Sequence, residues 1–391
     1  MDTSRAWAEV DLDAFESNLK FLRQRLRAGV AMLLVAKANA YGHGAVALAH
    51  RAISFGVDGL AVTTSAEAME LRSSGIRARI IVLGPVLGNE AAEAVQNQIE
   101  FGVHQAEHCR AVEEIALSTG STARVHVKID TGMGRLGTQP QDALPIFERI
   151  KCSPALELAG VMTHIAATDG ALSAQAGVQL ETFDGLLGEL RKARLMEGRN
   201  VWIHASNSAA VLSGMESKYD AVRVGIAAYG IAPHPSLDHG ELTPVISIRT
   251  RIAHLNQLAP GDSVGYGGTW TAQRPSRIAV LPLGYDDGLS WRLSNKGHVL
   301  VRGQRAPIVG RVSMDYTTVD VTDIPDAILG DRVTVLGSDG GLSVRVEEMA
   351  EQIGTIPYEI TCSIGKRVGR IYLGSERGSL IPFQAGRPVL H

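Results

Sequence analysis

The sequence predicts an α/β protein: an N-terminal (β/α)8 TIM-like barrel followed by a C-terminal, mainly-β domain. Three observations carry that prediction. Eight short β-rich runs alternate with longer helical patterns between about residues 31 and 226. From about Leu242 the pattern changes to strand-like segments separated by Gly, Pro or Asp turns. The 391 residues also suffice for two domains at roughly 100–200 residues each.

The β-rich runs lie at 31–37, 58–64, 79–84, 100–105, 124–130, 158–164, 201–207 and 221–226. Between them, Ser65 is placed to cap a helix over Ala66–Ser73, with Gly75 where a left-handed helix end would fall. Segment 173–193 carries leucines and Phe183 at three- and four-residue steps, the stripe of a buried helix. Strands alternating with helices build a parallel sheet, and eight such units close most economically into a barrel. An open doubly wound sheet is the alternative. In the second half, 245–254, 277–283, 298–302, 306–312, 316–321 and 331–337 read as strands. Pro233-His234-Pro235-Ser236 with Asp238-His239-Gly240 reads as the linker before them. The expected domains are 1–240, a cofactor-binding barrel whose first ~10 residues could pack with the second domain, and 241–391.

Composition narrows the function classes. With 45% hydrophobic and 20% charged residues the chain has the make-up of a folded globular protein. A net charge of -3 and no basic tract argue against a nucleic-acid partner. Apolar stretches such as 31–36 fall far short of the roughly 18 residues that span a bilayer, so no membrane partner is expected. Met1-Asp2-Thr3-Ser4-Arg5 lacks a signal peptide's apolar core. Cys109, Cys152 and Cys362 are odd in number, far apart and in no metal spacing, and read as reduced core thiols. These features point to a cytoplasmic, metal-free protein. Glycine is the outlier: 42 residues, about 11% against a usual ~7%, with no collagen-like period.

Barrel interiors are normally filled by Val, Ile and Leu. The fifth run breaks that rule, with Val125, Val127 and Ile129 on one face and His126, Lys128 and Asp130 on the other. Lys37 ends the first run, His164 the sixth, His204 with Asn207-Ser208 lies in the seventh, and Arg223 in the eighth. Each alone reads as a solvated, salt-bridged or satisfied residue. Five strand ends converging on the carboxyl mouth point instead to an active site, a structural ion network being the competing reading. Ser208 follows the seventh strand and Gly225 sits at the end of the eighth, where barrels commonly bind phosphate. A phosphate near a barrel lysine suggests pyridoxal phosphate, although a sugar-phosphate enzyme with a Schiff-base lysine fits the same features.

Lys37-Ala38-Asn39-Ala40-Tyr41-Gly42-His43-Gly44 resembles the cofactor-attachment motif of bacterial alanine racemases. Further matches follow in order: Lys128 to Gly137, Thr163-His164, His204 to Ser208, and Arg223-Val224-Gly225. The second half adds Gly265-Tyr266-Gly267, Gly284 to Gly288, Gly310 to Asp315, and Tyr358-Glu359. The resemblance implies a pyridoxal-phosphate-dependent homodimer that interconverts L- and D-alanine, with active sites at the subunit interface. Lys37 would hold the cofactor covalently, and Tyr266 from the partner subunit would face it across the substrate. Inversion needs a proton removed from one face of Cα and returned to the other, which two opposed bases accomplish. A phenol near pKa 10 needs positive neighbours to act as a base.

By the same resemblance, His164 contacts Tyr266, and Arg223 joins His164 to the pyridine nitrogen. Lys128 is a candidate for carbamylation, bracing Arg135, which contacts the substrate carboxylate. Without that modification Lys128 would read as half of a buried pair with Asp130. Met314 of the partner contributes to the carboxylate site. Tyr41, Asn207, Ser208, Gly225, Ile226 and Tyr358 would hold the cofactor, with Leu83 packing near its ring. Tyr285, Tyr358 and Arg311 would line the access corridor. Departures from the family pattern are Asn39, the glycines around Tyr266, Leu289-Ser290-Trp291, Ser313 and Tyr316. They bear on the corridor and so on substrate breadth. A broad-specificity or serine racemase, another barrel enzyme of this cofactor and a cofactor-binding regulatory protein are the alternatives. Lys128, Arg223 and the presence of Tyr266 and Met314 respectively count against them.

Overall fold

Alternation of outward apolar and inward mixed side chains closes the first half of the chain into a barrel. The computed structural model describes residues 5–166, 174–197, 201–214, 218–238 and 240–374. After β1 (Ala6–Asp11) come the barrel strands β2 (Ala31–Val35), β3 (Gly59–Val62), β4 (Arg79–Val82) and β5 (Glu100–Val103). The other half of the barrel is β6 (Ala123–Lys128), β7 (Leu156–Met162), β8 (Trp202–Asn207) and β9 (Ala221–Val224). All neighbours are parallel, and β9 returns to β2 through Ala31↔Ala221 and Leu33↔Arg223. The expected barrel and β-rich half are therefore present. The helix over 173–193 is described as Ala174–Lys192, with Phe183 fully buried.

The second half contributes β10 (Ile246–Arg251), β11 (His254–Leu258), β12 (Ser263–Val264), β13 (Trp270–Thr271) and β14 (Ser276–Leu281). It continues with β15 (His298–Val301), β16 (Gln304–Pro307), β17 (Thr317–Asp320), β18 (Arg332–Asp339), β19 (Leu342–Val344) and β20 (Gly369–Leu373). The larger sheet runs β16-β15-β18-β10-β1-β20, with β19 on β18; the smaller runs β11-β14-β17. β1 thus pairs outside the barrel, antiparallel to β10 and parallel to β20, in the register Ala8↔Ile248 and Ala8↔Arg370.

Three expectations need correction. Thr64, not Ser65, caps the helix Ser65–Ser73: its hydroxyl accepts from Glu67 N while the Glu67 carboxylate accepts from Thr64 N, a reciprocal capping box. Gly75 does adopt the left-handed conformation, φ +95°. The segment 245–254 divides into β10 and the start of β11. All three cysteines are free, but only Cys109 is buried; Cys152 and Cys362 lie on the surface, at the ends of short helices.

The main core lies between barrel and helices and includes Met32, Leu34, Val125, Val127 and Ile129. Inside the barrel the apolar filling is small: Ala31, Leu33, Ile81 and Ala221, with Leu83 and Trp202 against them. The alternating positions on β5, β6, β8 and β9 fill the rest with buried polar groups, Glu100, His126, Lys128, His204 and Arg223. No described helix is long and apolar enough to cross a membrane.

Candidate active site

Lys37 leaves the end of β2 on an unusual turn. Ala38, Asn39, Ala40 and Tyr41 all have φ between 50° and 53°, one turn of left-handed helix. That conformation costs roughly 1–2 kcal/mol per residue, so the surroundings must fix it. Glu67 Oε1 accepts from Ala38 N at 2.6 Å, and Asn39 Oδ1 accepts from Ala45 N at 2.8 Å. His43 Nδ1 donates to the carbonyls of Tyr41 and Ala40 at 2.9 and 3.0 Å. From β20, Arg370 Nη2 donates to Gly42 O at 2.9 Å. Gly42 has φ +85°, and a Cβ there would overlap the Thr361 carbonyl oxygen. Both domains therefore press on the turn that carries Lys37, whose Nζ lies 5.9 Å from the Tyr41 ring centre.

Arg223, on β9, lies in the barrel lumen at 4% exposure. Its guanidinium donates to Thr163 O at 2.7 Å, Ala205 O at 2.9 Å, His204 O at 3.0 Å and His204 Nδ1 at 2.6 Å. His164 Nδ1 accepts from Nη2 at 3.3 Å. Burial draws the Arg223 pKa down to about 10, which leaves it charged at neutral pH. Burial, then the charges of Arg223, Lys128, Arg135 and Lys37, push His164 well below the ordinary histidine value. Arginine only donates, so His164 Nδ1 must be the acceptor and its proton resides on Nε2.

Lys128 does not pair with Asp130. The Asp130 carboxylate is occupied by the N–H groups of Gly132, Met133 and Gly134 at 2.8–3.1 Å. Lys128 Nζ is buried without a hydrogen-bond partner among the described residues. Burial, with repulsion from Arg223 and Arg135 only partly offset by Asp130, lowers its pKa to about 7. Arg135 stands exposed at the same mouth.

At the phosphate end, Ser208 Oγ accepts from Gly225 N at 2.8 Å, and a Cβ on Gly225 would come within 2.7 Å of the Tyr41 hydroxyl. The Tyr358 ring is 6.0 Å from that of Tyr41, and Ile226 is buried alongside. Leu83 flanks the apolar half of the lumen. Asn207 has a scaffold role that its sequence position did not suggest: Oδ1 caps the helix Ser208–Leu212 at Ala210 N, and Nδ2 donates to Ile165 O.

The residues expected from the second domain are not gathered with these in one chain. Tyr266 is 74% exposed, Met314 52% and Tyr285 45%. Among the described residues none of them hydrogen-bonds, ion-pairs or stacks with the barrel mouth through its side chain. Arg311 is exposed beside the Tyr266 loop, its guanidinium 5.8 Å from the Trp291 ring centre. Glu67, Arg370 and Glu100 escaped the sequence reading. The helix-start pattern Thr64 to Glu67 could have revealed the first, whereas the other two depend on tertiary placement.

A closed β/α barrel with a lysine, a buried arginine and an anion cradle at its carboxyl mouth, joined to a β domain that projects an exposed tyrosine, defines a two-domain barrel enzyme. Family models described as "Alanine racemase, N-terminal domain" and "Alanine racemase, C-terminal domain" match residues 10–233 and 245–372. A relative named alanine racemase from Syntrophobacter fumaroxidans is 41% identical over 364 residues, covering 93% of this chain and 96% of the relative. One from Methanococcus maripaludis is 38% identical over 372 residues, covering 94% and 98%. The alanine racemase structure from D-cycloserine-producing Streptomyces lavendulae superposes with a TM-score of 0.90 at 33% identity, covering 96% of this chain and 99% of that one. That from Bartonella henselae with covalently bound pyridoxal phosphate gives 0.84 at 28%, covering 95% and 100%. The chain belongs to the alanine racemase family and is an amino-acid racemase.

Proposed function

We propose that the protein interconverts L- and D-alanine with pyridoxal phosphate, using Lys37 and Tyr266 as opposed bases, and that a second copy of the chain supplies Tyr266 and Met314 to each site. The observation that carries this reading is the contrast between a half-buried Lys37 on a braced turn and a Tyr266 that stands 74% exposed on its own chain. The family depends on pyridoxal phosphate, and the residues present fit it. Gly225 has no Cβ beneath the Tyr41 hydroxyl, with Ser208 and Tyr358 nearby, so phosphate has a cradle to which Ile226 adds a backbone N–H. Asn207 and Leu83 complete the surroundings. When bound, the cofactor supplies the conjugated electron sink that acidifies the substrate Cα.

The remaining work falls to side chains. Lys37, as a free amine, takes or returns the Cα proton on one face, and Tyr266 does so on the other. His164 carries its proton on Nε2 and can donate it in a hydrogen bond to the Tyr266 oxygen, which favours the phenolate. Arg223 keeps its own proton, so it would leave a cofactor ring nitrogen held against it unprotonated. Arg135 and Met314 N–H bind the substrate carboxylate. Lys128, whose pKa of about 7 leaves much of it as the neutral amine at and above neutral pH, is the group placed to capture carbon dioxide as a carbamate that braces Arg135. Tyr285, Tyr358 and Arg311 line the access corridor. The product would serve peptidoglycan synthesis in the cytoplasm. The test is to incubate cofactor-loaded protein with single L-amino acids and measure D-enantiomers. Alanine is expected to turn over fastest; faster turnover of serine, lysine or arginine overturns the substrate assignment.

A further inference from the structure

Arg223 is a buried cation with no carboxylate in contact among the described residues. Its hydrogen bonds go to three carbonyls and two imidazoles. A buried guanidinium is held by the acceptors around it, and an acceptor holds it only as firmly as it is itself fixed. His204 is fixed by a row of groups along the barrel axis. His204 Nε2 is 3.0 Å from His126 Nδ1, and His126 Nε2 is 2.8 Å from Glu100 Oε2. The other Glu100 oxygen is held by Arg79 Nε at 3.0 Å and by Arg124. Arg79 in turn lies over the Trp202 ring, 3.8 Å from its centre. Glu100 is therefore pinned, with one oxygen left for His126.

The proton positions along this row follow from its ends. Arginine can only donate, so His204 Nδ1 accepts and its proton is on Nε2. That proton is donated to His126 Nδ1, which places the His126 proton on Nε2, donated to the Glu100 carboxylate. Every bond points the same way, from guanidinium to carboxylate, and bonds aligned head to tail polarise one another. Burial holds both imidazoles below the ordinary histidine value, which keeps them neutral as the row requires. The backbone makes room for it. Gly160 is opposite His126 on β7, and a Cβ there would overlap His126 Nδ1.

We propose that Glu100, His126 and His204 form a one-directional hydrogen-bond row that positions Arg223, with Glu100, itself fixed by Arg79 and Arg124, as the anchor at the far end of the barrel. None of the three touches substrate; they are positioning residues. The inference rests on the reading in which Arg223 faces the cofactor ring, but its test does not depend on racemisation.

In cofactor-free protein carrying nitrogen-15 histidine, both His126 and His204 are expected as Nε2–H tautomers by NMR. A His204 proton on Nδ1 overturns the row whatever the enzyme does. Two substitutions then separate polarity from packing. His126→Gln can accept from His204 and donate to Glu100, whereas His126→Leu can do neither. In the loaded enzyme His126→Leu is expected to lower kcat about ten-fold with the KM for alanine changed less than about two-fold, while His126→Gln stays within about three-fold of the parent. In His126→Leu the His204 resonance should also show loss of the single tautomer. Equal losses in the two variants would assign His126 to packing alone and overturn the proposal. Correct tautomers in a protein that does not racemise alanine would instead refute the proposed function. If His126→Leu does not fold, the parent tautomers and His126→Gln still decide.

Discussion

Arg223 Nη1 lies 2.6 Å from His204 Nδ1, and among the described residues the guanidinium touches no carboxylate. An imidazole takes the place where an acid would more often meet a buried arginine. The arrangement fixes the fork of the guanidinium through several acceptors at once and leaves its charge directed toward the barrel mouth.

Replacing that fork by a point charge is the first prediction. Lysine at position 223 keeps a cation but cannot serve three carbonyls and two ring nitrogens from one nitrogen. Arg223→Lys is expected to remain folded by circular dichroism and to lose about 100-fold in kcat. A variant with near-parental kcat would show that charge alone, without the fork, is what the site uses.

Lys128 gives a pH prediction. Its folded pKa is about 7, below the ordinary lysine value of 10.5. Between those two values the unfolded chain holds a proton that the folded one lacks, so stability rises with pH across that window and is lost as pH falls toward 7. Lys128→Met removes the effect. In bicarbonate-free buffer, the stability advantage of the methionine variant by urea denaturation should be large at pH 6 and shrink steadily toward pH 10. An advantage independent of pH contradicts the buried, unpartnered amine. With labelled bicarbonate above pH 7, a carbamate carbon resonance should appear in the parent and be absent from the variant.

The lysine turn can be probed through Asn39. Its backbone is left-handed, φ +53°, and its side chain caps the helix that begins at Ala45. Asn39→Ala loses the cap and worsens the backbone strain, and should cost about 1–2 kcal/mol. Asn39→Asp retains the acceptor and should stay within about 0.5 kcal/mol. Thermal melting of the two variants side by side gives the answer; equal losses would remove the capping role.

Sharing of the site between subunits has a stoichiometric signature. Lys37→Ala and Tyr266→Phe proteins should each be inactive. Mixed under conditions of proven subunit exchange, they should regain up to about a quarter of parental activity per site, because one site in each hybrid holds both bases. No recovery would place both residues within one chain's own site.

Much of this was legible in the sequence because barrel strands alternate strictly. A run such as Val125-His126-Val127-Lys128 sorts itself into helix-facing and lumen-facing sets with no further information. Lys37, His164 and Arg223 were readable for the same reason. The left-handed turn at Ala38–Tyr41 was not, because three of its four residues are ordinary L-residues and tertiary contacts from Glu67, Thr361 and Arg370 impose it. Glu100 was hidden because a lone acid at the start of a strand looks solvated until Arg79, Arg124 and His126 are folded around it. Thr64 was passed over for Ser65 as the helix cap because adjacent hydroxyl residues carry the same local signal, and only the backbone geometry separates them.

The pairing of Ala8 with Arg370 and the grip of Arg370 on Gly42 have a consequence for the order of biogenesis. A nascent chain can close its barrel once β9 has left the ribosome, yet β1 has no completed sheet to join until some 150 further residues are synthesised, by the span from Val224 to Arg370. Until then the carbonyl of Gly42 lacks its arginine and the strained segment bearing Lys37 lacks its outer wall. The turn that presents Lys37 is thus assembled last although it is encoded early, and a truncated translation product would carry a closed barrel with that turn unbraced.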